Sequence, residues 1–388
     1  MKTRFYILML LFFVTLLTSF HPFNKYIIFS FSIACWVLIP TKGFWDNVVK
    51  TFFLFSAIYV ISEVLNNYNI GGAEILSHLI APTAFYRYGR WVMHRYKEEN
   101  KRLSFLVISI ILYLLPLFIL NIIDISLVGI VNPTRSMLSE VNDSDTLSAT
   151  LYGLSASVGI GCVSGFFVKG ISKRLRIVLI AISILSVLVI VHLVNRTGLV
   201  ILAMCVIASI ILTSRKKSIW SLLFVASLVL VIAFLILKNI NNDIIEAYAY
   251  RERDASFDVS EIGGRTVLWS DAIGKIFTHP FGWEIECYAH NLWLDIARVG
   301  GILPFIMSII ITVMVFKKVR IVLKRDNTAF SIIALSVFFA MILNSFVEPV
   351  IDASILFFSL LFFMIGIINS ILVNLNNSIF FECNNHKL

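Results

Sequence analysis

GGRTVLWSDAIGKIFTHPFGWEIECYAHNLWLDIARVGGILPF (263–305) is a stretch that gathers arginine, histidine, carboxylate, glycine and tryptophan residues in one place. The rest of the chain is strongly apolar, since 59% of the 388 residues are hydrophobic and only 14% are charged. Soluble domains carry about 25% charged residues. This composition, with a mean hydropathy of +0.91, therefore excludes a soluble globule. The polar stretch must lie in water, at a membrane surface or in a buried polar site.

Apolar runs long enough to cross a hydrocarbon core of about 30 Å recur throughout the sequence. They predict an all-α polytopic membrane protein, a single integral membrane domain over residues 1–388 with about twelve transmembrane helices. The fourth run is the weakest, because Glu74, His78 and Pro82 interrupt it. The predicted spans lie near 5–20, 26–40, 51–65, 70–86, 103–123, 150–168, 177–194, 199–213, 218–237, 293–316, 328–346 and 353–374.

The distribution of charge predicts how these spans are oriented. With the N-terminus in the cytoplasm and strict alternation, the inner segments carry the basic runs RYGRWVMHRYKEENKR (87–102), KGISKRLR (169–176) and KKVRIVLKR (317–325). An excess of Lys and Arg on cytoplasmic segments is the usual pattern of membrane proteins. The net charge of +9 therefore indicates a topology with both termini cytoplasmic, and it does not indicate affinity for nucleic acid.

Two external loops are large in this topology, a smaller one at 124–149 and a larger, acidic one at 238–292. The five cysteines form no CxxC pair, so the sequence predicts neither a disulfide framework nor a metal site. The chain also has no Walker loop, GxSxG or HExxH motif. We therefore expect chemistry in the larger loop, where nine Asp and Glu residues also leave a paired-carboxylate hydrolase open as an alternative.

Residues 265–278 are predicted to form an amphipathic helix that lies on the outer membrane surface. Apolar residues recur there at three- and four-residue spacing, while Asp271 and Lys275 fall on the opposite side. Arg265 stands in the first turn, where free backbone N–H groups and the helix dipole favour an anion. It can grip a phosphate or diphosphate with two parallel hydrogen bonds, or alternatively bind lipid headgroups.

Arg196 and His290 are two further candidates for the chemistry. Arg196 lies in a short external connection, NRTG, where it either faces a polar cavity or snorkels to the headgroups. Gly198 is expected to permit the tight turn of that connection. His290 stands where the chain re-enters the membrane, and it can accept and return a proton near neutral pH. A histidine at a helix start also has structural uses.

Asn291 and Trp269 complete the set of candidate residues. Asn291 is expected either to cap the helix that follows or to bind a substrate hydroxyl. Trp269 is expected to be an interfacial tryptophan or a platform for a sugar ring. Because these residues flank the two candidates in the larger loop, we expect them to help bind substrate.

The order of these motifs resembles that of the O-antigen polymerase and ligase superfamily, which are polytopic glycosyltransferases of the bacterial inner membrane. The motifs NRTG, RTVLW, HPFG and AHN precede the pair Gly300 and Gly301, over roughly residues 150–345. Two features depart from the family pattern: HPFG continues as WEIECY without a second glycine, and Pro304 follows the glycine pair. The resemblance implies a large periplasmic loop that carries catalytic residues.

The resemblance also implies a reaction, the metal-independent transfer of a glycan from undecaprenyl diphosphate to a sugar hydroxyl. Arg196 and Arg265 would bind the diphosphate and stabilise it as a leaving group, and His290 would take the proton of the acceptor. The expected function is polymerisation of O-antigen or related polysaccharide repeat units at the periplasmic face. The expected partners are the lipid-linked donor and acceptor, the bilayer, a chain-length regulator and a flippase.

Two other functions compete with polymerisation. The O-antigen ligase, which moves finished polymer onto lipid A–core, would use the same chemistry and the same residues. A repeat-unit flippase is a different class, and it would be expected to have related halves and polar groups near the bilayer midplane. The concentration of polar residues in one outer loop favours an enzyme.

Overall fold

A computed structural model describes residues 2–66, 71–132, 135–137, 147–213, 265–283 and 288–385. Within these ranges the chain is helical, apart from a two-residue antiparallel ladder between β1 (Ser136–Met137) and β2 (Leu147–Ser148). The ninth predicted span (218–237) and residues 238–264 of the larger loop lie outside the described residues. The helices are, in chain order, α1 (Lys2–Leu17), α2 (Asn24–Leu38), α3 (Asn47–Leu65), α4 (Gly72–Arg95), α5 (Glu99–Val128), α6 (Ala149–Ile160), α7 (Lys173–His192), α8 (Arg196–Thr213), α9 (Arg265–Thr278), α10 (Leu292–Gly300), α11 (Ile302–Arg325), α12 (Ala329–Ser345), α13 (Val350–Ala353) and α14 (Ile355–Asn385).

Seven helical segments of the described residues are long and apolar enough to cross a membrane. They are α3, α5, α6 with its 3-10 continuation (Gly161–Phe166), α7, α8, α11 and α14 as far as Leu375. The prediction of an α-helical membrane protein is therefore confirmed. Each predicted span other than the ninth also coincides, at least in part, with a helix. The total of about twelve crossings stays a prediction.

The chain divides into two compact units, each assembled from segments that are distant in sequence. Unit 1 comprises Met1–Ser109, Leu268–Leu335 and Pro349–Leu388. Unit 2 comprises Ile110–Val267 and Ser336–Glu348. Three of the four boundaries between the units fall inside α5, α9 and α12, so these three helices contribute residues to both.

α4 is the central helix of unit 1 and packs against α2, α3 and α14. The sequence predicted a weak span at 70–86 followed by a cytoplasmic basic run, but the helix continues to Arg95. Arg87 is fully buried in it, where its guanidinium donates to the Ile39 carbonyl at 2.9 Å and stacks on Trp36. The predicted end of this helix at residue 86 was therefore too early, and an aromatic ring and a carbonyl oxygen replace water around the charge of Arg87.

α4 and α14 approach closely because each helix has a glycine at the contact. A Cβ on Gly89 would overlap the carbonyl oxygen of Phe363, and a Cβ on Gly366 would overlap the carbonyl oxygen of Tyr86. The ring of Phe12 packs beside this contact, 5.0 Å from the ring of Phe363. Close van der Waals packing of this kind drives helix association in membranes, where lipid removes most of the hydrophobic driving force.

Unit 2 is built around α6 with its 3-10 continuation, α7 and α8. Buried hydroxyl groups connect these helices to their neighbours: Tyr113 lies 2.8 Å from Ser155, and Ser209 lies 3.3 Å from Ser336. Such side-chain hydrogen bonds fix the rotation of one helix against the next in an otherwise apolar bundle.

The predicted span at 293–316 begins too early. The nine-residue α10 occupies its first part and ends at Gly301, whose φ is +76°. The long apolar helix is α11, which begins only at Ile302. Asp295 and Arg298, both fully buried, therefore lie on a short helix that precedes the span and are not part of the span itself.

Candidate functional site

A tight turn after α7 positions the start of α8. Val194 adopts a left-handed conformation with φ of +50°, and the side-chain oxygen of Asn195 accepts the N–H of Gly198 at 3.0 Å. Asn195 thus caps the helix, and Arg196 is its first, half-buried residue. Gly198 lies inside the helix and not in the turn, so its expected role was wrong. A Cβ there would overlap the side chain of Ile190, which explains the glycine.

Arg265 begins α9 as predicted and reaches the start of α8. Its Nη1 group donates to the hydroxyl of Thr197 at 3.2 Å, and its Nη2 group donates to Oε1 of Glu348 at 3.1 Å. The ion pair is mostly buried, with 18% of the Arg265 side chain and 8% of the Glu348 side chain exposed. Since Thr197 directly follows Arg196, the structure brings Arg265 to the helix start that carries the other predicted arginine.

The electrostatics of this place in unit 2 favour an anion. The first turns of α8 and α9 have N–H groups without partners in their own helices, and each helix dipole adds partial positive charge there. Arg196 and Arg265 add two full positive charges, against the carboxylate of Glu348. A phosphate or diphosphate has the charge and the acceptor oxygens that such an arrangement binds.

A buried polar cluster that the sequence analysis missed lies at the end of α7. Nε2 of His192 is 2.7 Å from Oδ2 of Asp124, and the side-chain amide of Asn132 donates to the same oxygen at 2.7 Å. Nδ1 of His192 is 2.9 Å from the carbonyl oxygen of Ile130. The side chains of His192, Asp124 and Asn132 are at most 2% exposed.

This cluster is a structural lock and does not supply a general base. Both ring nitrogens of His192 face acceptor oxygens, so both contacts need a proton and neither nitrogen can take one from a substrate. The lock ties the segment 130–132 to the turn that precedes Arg196. We had expected the smaller external loop to begin at Asp124, but α5 continues to Val128. An ionisable residue inside an apolar span is a signal that would have found it.

In unit 1, the HPFG turn (279–282) packs against the glycine pair between α10 and α11. The N–H of Ile302 donates to the carbonyl oxygen of Pro280 at 2.9 Å. At Gly301, φ is +76° and a Cβ would overlap that same carbonyl oxygen, so the position requires glycine. Two motifs that are separate in the sequence therefore form a single contact, directly beside α10.

His290 precedes α10 in an unusual backbone conformation. Its φ of +51° lies in the left-handed region, which residues other than glycine rarely adopt. Its imidazole is half-buried, and the ring of Tyr288 lies 6.5 Å away between centroids. The carboxylate of Asp295 accepts the N–H of Ala289 at 2.8 Å and that of Asn291 at 3.1 Å. The histidine is therefore held on both sides by one buried side chain.

Asn291 caps α10, as one of its two predicted roles required. Its side-chain oxygen accepts the N–H of Trp293 at 3.1 Å and that of Leu294 at 3.3 Å. These bonds satisfy two of the N–H groups that a helix start leaves without partners. The oxygen of Asn291 is therefore committed to the backbone directly after His290.

Trp269 packs on the same small core. The side chain rests on a buried cluster beside the segment that carries His290, made by Ala272, Ile276, Ala289, Leu294 and Ala297. Its indole N–H is buried and has no hydrogen-bond partner among the described residues. A buried donor without an acceptor costs free energy.

A second polar network that the sequence analysis missed joins α3, α4, α10 and α13. Arg298 donates through Nη2 to Oδ2 of Asp352 at 2.8 Å, and its Nε lies 3.5 Å from Oδ1 of Asp295. Nδ1 of His78 lies 3.1 Å from Oε1 of Glu63, and both residues are buried. In the sequence, His78 interrupted a weak span; in the structure, it forms a buried hydrogen-bonded pair with Glu63.

Asp295 and Asp352 are the two carboxyl groups of this network that lie outside the membrane-spanning helices, and the pKa of each is raised. Burial raises the pKa of Asp295 to about 6, and the neighbouring Asp352 also raises it, against hydrogen bonds from the backbone and the charge of Arg298. Burial likewise raises the pKa of Asp352, while Arg298 lowers it. A carboxyl group that titrates near neutral pH beside a histidine is typical of functional sites.

Comparison of the chain with protein-family models and with curated proteins gives no match. The candidate residues are therefore judged by their geometry. Unit 2 holds the site around Arg265 and Arg196, and the structure adds Glu348 to it. Unit 1 holds the other three predicted residues, which are His290, Asn291 and Trp269. The structure adds Asp295 to them.

Proposed function

We propose that the protein polymerises undecaprenyl-diphosphate-linked oligosaccharide repeat units into O-antigen or a related surface polysaccharide, at the periplasmic face of the bacterial inner membrane. In this proposal the chain crosses the membrane about twelve times, has both termini in the cytoplasm and acts as a metal-independent glycosyltransferase. The observation that carries the proposal is the hydrogen bond from Arg265 to Thr197, which joins the helix start at Arg265 to the helix start at Arg196.

Arg196 and Arg265 would bind the diphosphate of the lipid-linked donor. A guanidinium group keeps its charge at physiological pH and donates two parallel hydrogen bonds to phosphate oxygens. Glu348 would hold the Arg265 guanidinium in position until the donor arrives. Negative charge grows on the diphosphate as it leaves, so cations placed there stabilise the transition state more than the ground state.

His290 would act as the general base. It would take the proton of the acceptor hydroxyl while the hydroxyl oxygen forms a bond to the anomeric carbon of the donor glycan. The bond between that carbon and the diphosphate oxygen breaks, and its electron pair leaves with undecaprenyl diphosphate. Asn291 would contribute by fixing the start of α10, and Trp269 would offer its ring to a sugar.

The positions of buried ionisable residues support an enzyme over a transporter. Glu63 lies in the last turn of α3, and His192 is the last residue of α7. Asp124 lies near the end of α5, and His78 lies near the start of α4. In the predicted topology, all of these helix ends are external. A transporter would instead require such groups near the bilayer midplane.

The test is the surface glycan profile of a strain in which the gene is deleted and then replaced by variants. Wild-type protein should restore long polymer. Arg265→Ala and His290→Ala should leave lipopolysaccharide that carries a single repeat unit, although both variants insert and accumulate normally. Arg265→Lys should restore polymer in part, because it keeps the charge and loses the bidentate geometry. Lys275→Ala, on the polar side of the same helix, is the matched control and should give wild-type lengths.

The same profile distinguishes the competing functions. Wild-type polymer in the Arg265→Ala or His290→Ala strain would remove that residue from the mechanism. Bare lipid A–core in the deletion strain, with finished polymer retained on undecaprenyl diphosphate, would identify the ligase reaction. Single repeat units retained on the cytoplasmic leaflet would identify a flippase.

A further inference from the structure

We infer that Asp295 is the positioning residue of His290, an inference that rests on the proposed role of His290 as the general base. Asp295 does not touch a substrate, because it is fully buried. Its two carboxylate oxygens are used on the backbone, one by the N–H of Ala289 and the other by the N–H of Asn291. These are the residues directly before and after His290.

The two hydrogen bonds define the backbone conformation of His290. A residue keeps a sparsely populated conformation only where its surroundings over-determine it. Here the carboxylate of Asp295 accepts the N–H groups of the residues before and after His290, while the Asp295 N–H donates to the carbonyl oxygen of Asn291 at 2.8 Å. Since Asn291 also caps α10, the helix start and the φ of +51° at His290 form one cooperative arrangement.

Asp295 is itself held by groups from neighbouring elements. Arg298 lies 3.5 Å away on the same helix and is bound in turn by Asp352 of α13 at 2.8 Å. The Arg298 guanidinium also stacks on Tyr288, 4.9 Å from the ring centroid. Glu63 on α3 and the His78 that it contacts act electrostatically on Asp352. The helices α9 and α11 contribute apolar side chains to the cluster that contains the neighbouring Ala289: Ala272, Ile276, Ile302 and Phe305.

The ionised form of Asp295 is the one that suits this role. A carboxylate accepts two N–H groups with its two oxygens, whereas a protonated carboxyl group uses one oxygen as a donor. Protonation therefore releases one side of His290. Since burial raises the pKa of Asp295 to about 6, this release occurs within the range in which activity can be measured.

The experiment measures kcat and KM on purified, reconstituted protein, with lipid-linked repeat units extracted from the deletion strain as the probe. Asp295→Asn keeps the size of the side chain and one acceptor oxygen, and it should lower kcat about 10- to 100-fold with the donor KM nearly unchanged. Asp295→Ala should lower kcat further. Asp271→Asn, which replaces an exposed carboxylate of α9, is the matched control and should keep the wild-type kcat.

A pH profile separates positioning from a merely structural role. In wild-type protein, log kcat should fall as pH is lowered through about 6, because Asp295 must be ionised to accept the N–H groups on both sides of His290. In Asp295→Asn this contribution is absent, so the slope of the acid limb should be smaller. Asp352→Asn should move the acid limb of the wild-type profile to lower pH, because the Asp352 carboxylate helps to raise the pKa of Asp295. Asp352→Asn therefore tests the role of Asp295 even if the Asp295→Asn variant does not fold.

The outcomes distinguish this inference from the proposed function. An inactive wild-type protein, or a fully active His290→Ala variant, would overturn the proposed function. If His290→Ala is inactive while Asp295→Asn keeps the wild-type kcat and slope, the positioning role of Asp295 alone is overturned. The same follows if the variants lose folded protein in proportion to activity, or if Asp352→Asn leaves the acid limb unmoved.

Discussion

Arg265 is bound by Glu348 through a 3.1 Å ion pair, although 83 residues separate the two in sequence. The carboxylate occupies one of the guanidinium nitrogens that a diphosphate would use. A ligand that reaches Arg265 must therefore compete with Glu348 or bind beside it. The Arg265 guanidinium is largely buried, and Glu348 supplies the counter-charge that it would otherwise lack there.

Glu348→Gln is expected to lower the stability of the protein without ligand and to raise its affinity for anions. Loss of the counter-charge leaves Arg265 without its partner, which should lower the free energy of unfolding by about 1–3 kcal/mol. It also removes the competing carboxylate, so inorganic pyrophosphate should bind about tenfold more tightly, roughly 1.4 kcal/mol. Thermal unfolding with and without pyrophosphate measures both effects, since the ligand should raise the Tm of the variant more than that of wild type.

The control for this prediction is Glu98→Gln, which changes a carboxylate that is 66% exposed and paired with Lys101. It should alter neither the Tm nor the response to pyrophosphate, because exposed ion pairs contribute about 0–1 kcal/mol. An equal pyrophosphate affinity in Glu348→Gln and wild type would show that Glu348 does not compete at the anion site.

Asp124 and His192 are expected to stabilise unit 2 as a pair. Asp124→Asn and His192→Gln should each lower the free energy of unfolding by about 1–3 kcal/mol, because each leaves a buried polar partner unsatisfied. The double variant should cost less than the sum of the two, with a coupling of about 1–3 kcal/mol in a double-mutant cycle. The exposed pair Asp271 and Lys275 is the comparison, and there a coupling below about 0.5 kcal/mol is expected. Additive losses at Asp124 and His192 would contradict the structural lock.

Gly301→Ala and Gly274→Ala should have opposite effects on stability. Gly301 has φ of +76° and lies against the Pro280 carbonyl, so alanine should lower the free energy of unfolding by about 1–3 kcal/mol and disturb the turn before α11. Gly274 lies in the middle of α9 with open space around its Cα, so alanine should raise helix stability by up to about 1 kcal/mol. Thermal unfolding of the two variants, beside wild type, measures the contrast. A neutral Gly301→Ala would show that the HPFG turn does not pack as described.

Asp295 should make the protein less stable as pH rises through about 6. The pKa of Asp295, about 6 in the folded protein, lies above the ordinary value of about 3.9, so the folded protein binds more protons between these pH values. Its contribution to stability is fully present below about pH 4 and is lost as pH rises, reaching a cost of about 3 kcal/mol at pH 7. Unfolding free energies measured from pH 4 to pH 7 should fall less steeply in Asp295→Asn. Parallel curves for the variant and wild type would exclude an elevated pKa at this residue.

Local patterns predicted the elements that depend on local chemistry. The helix over 265–278 was predicted with the bounds that the structure shows, because its apolar spacing, its polar side and the following proline all lie within a few turns. The cap at Asn291 was likewise predicted, since capping depends on one residue and the two or three that follow it.

Predictions that depended on distant contacts failed or were never made. The helix α4 was predicted to end before Arg87, but the carbonyl oxygen of Ile39 and the ring of Trp36 make the burial of Arg87 inside this helix possible. Gly198 was assigned to a turn, but the side chain of Ile190 on α7 is what requires a glycine. The pairing of Asp124 with His192 was missed, because 68 residues lie between them.

The sequence by itself determined that this is an α-helical membrane protein and that a helix covers residues 265–278. Hydropathy and helical periodicity are properties of neighbouring residues, and the bilayer imposes them on every span. Only the tertiary structure decided that Glu348 binds Arg265 and that Asp295 holds both sides of His290. A carboxylate meets its partner through the packing of whole helices, and that packing depends on glycine contacts and buried hydrogen bonds that no local pattern specifies.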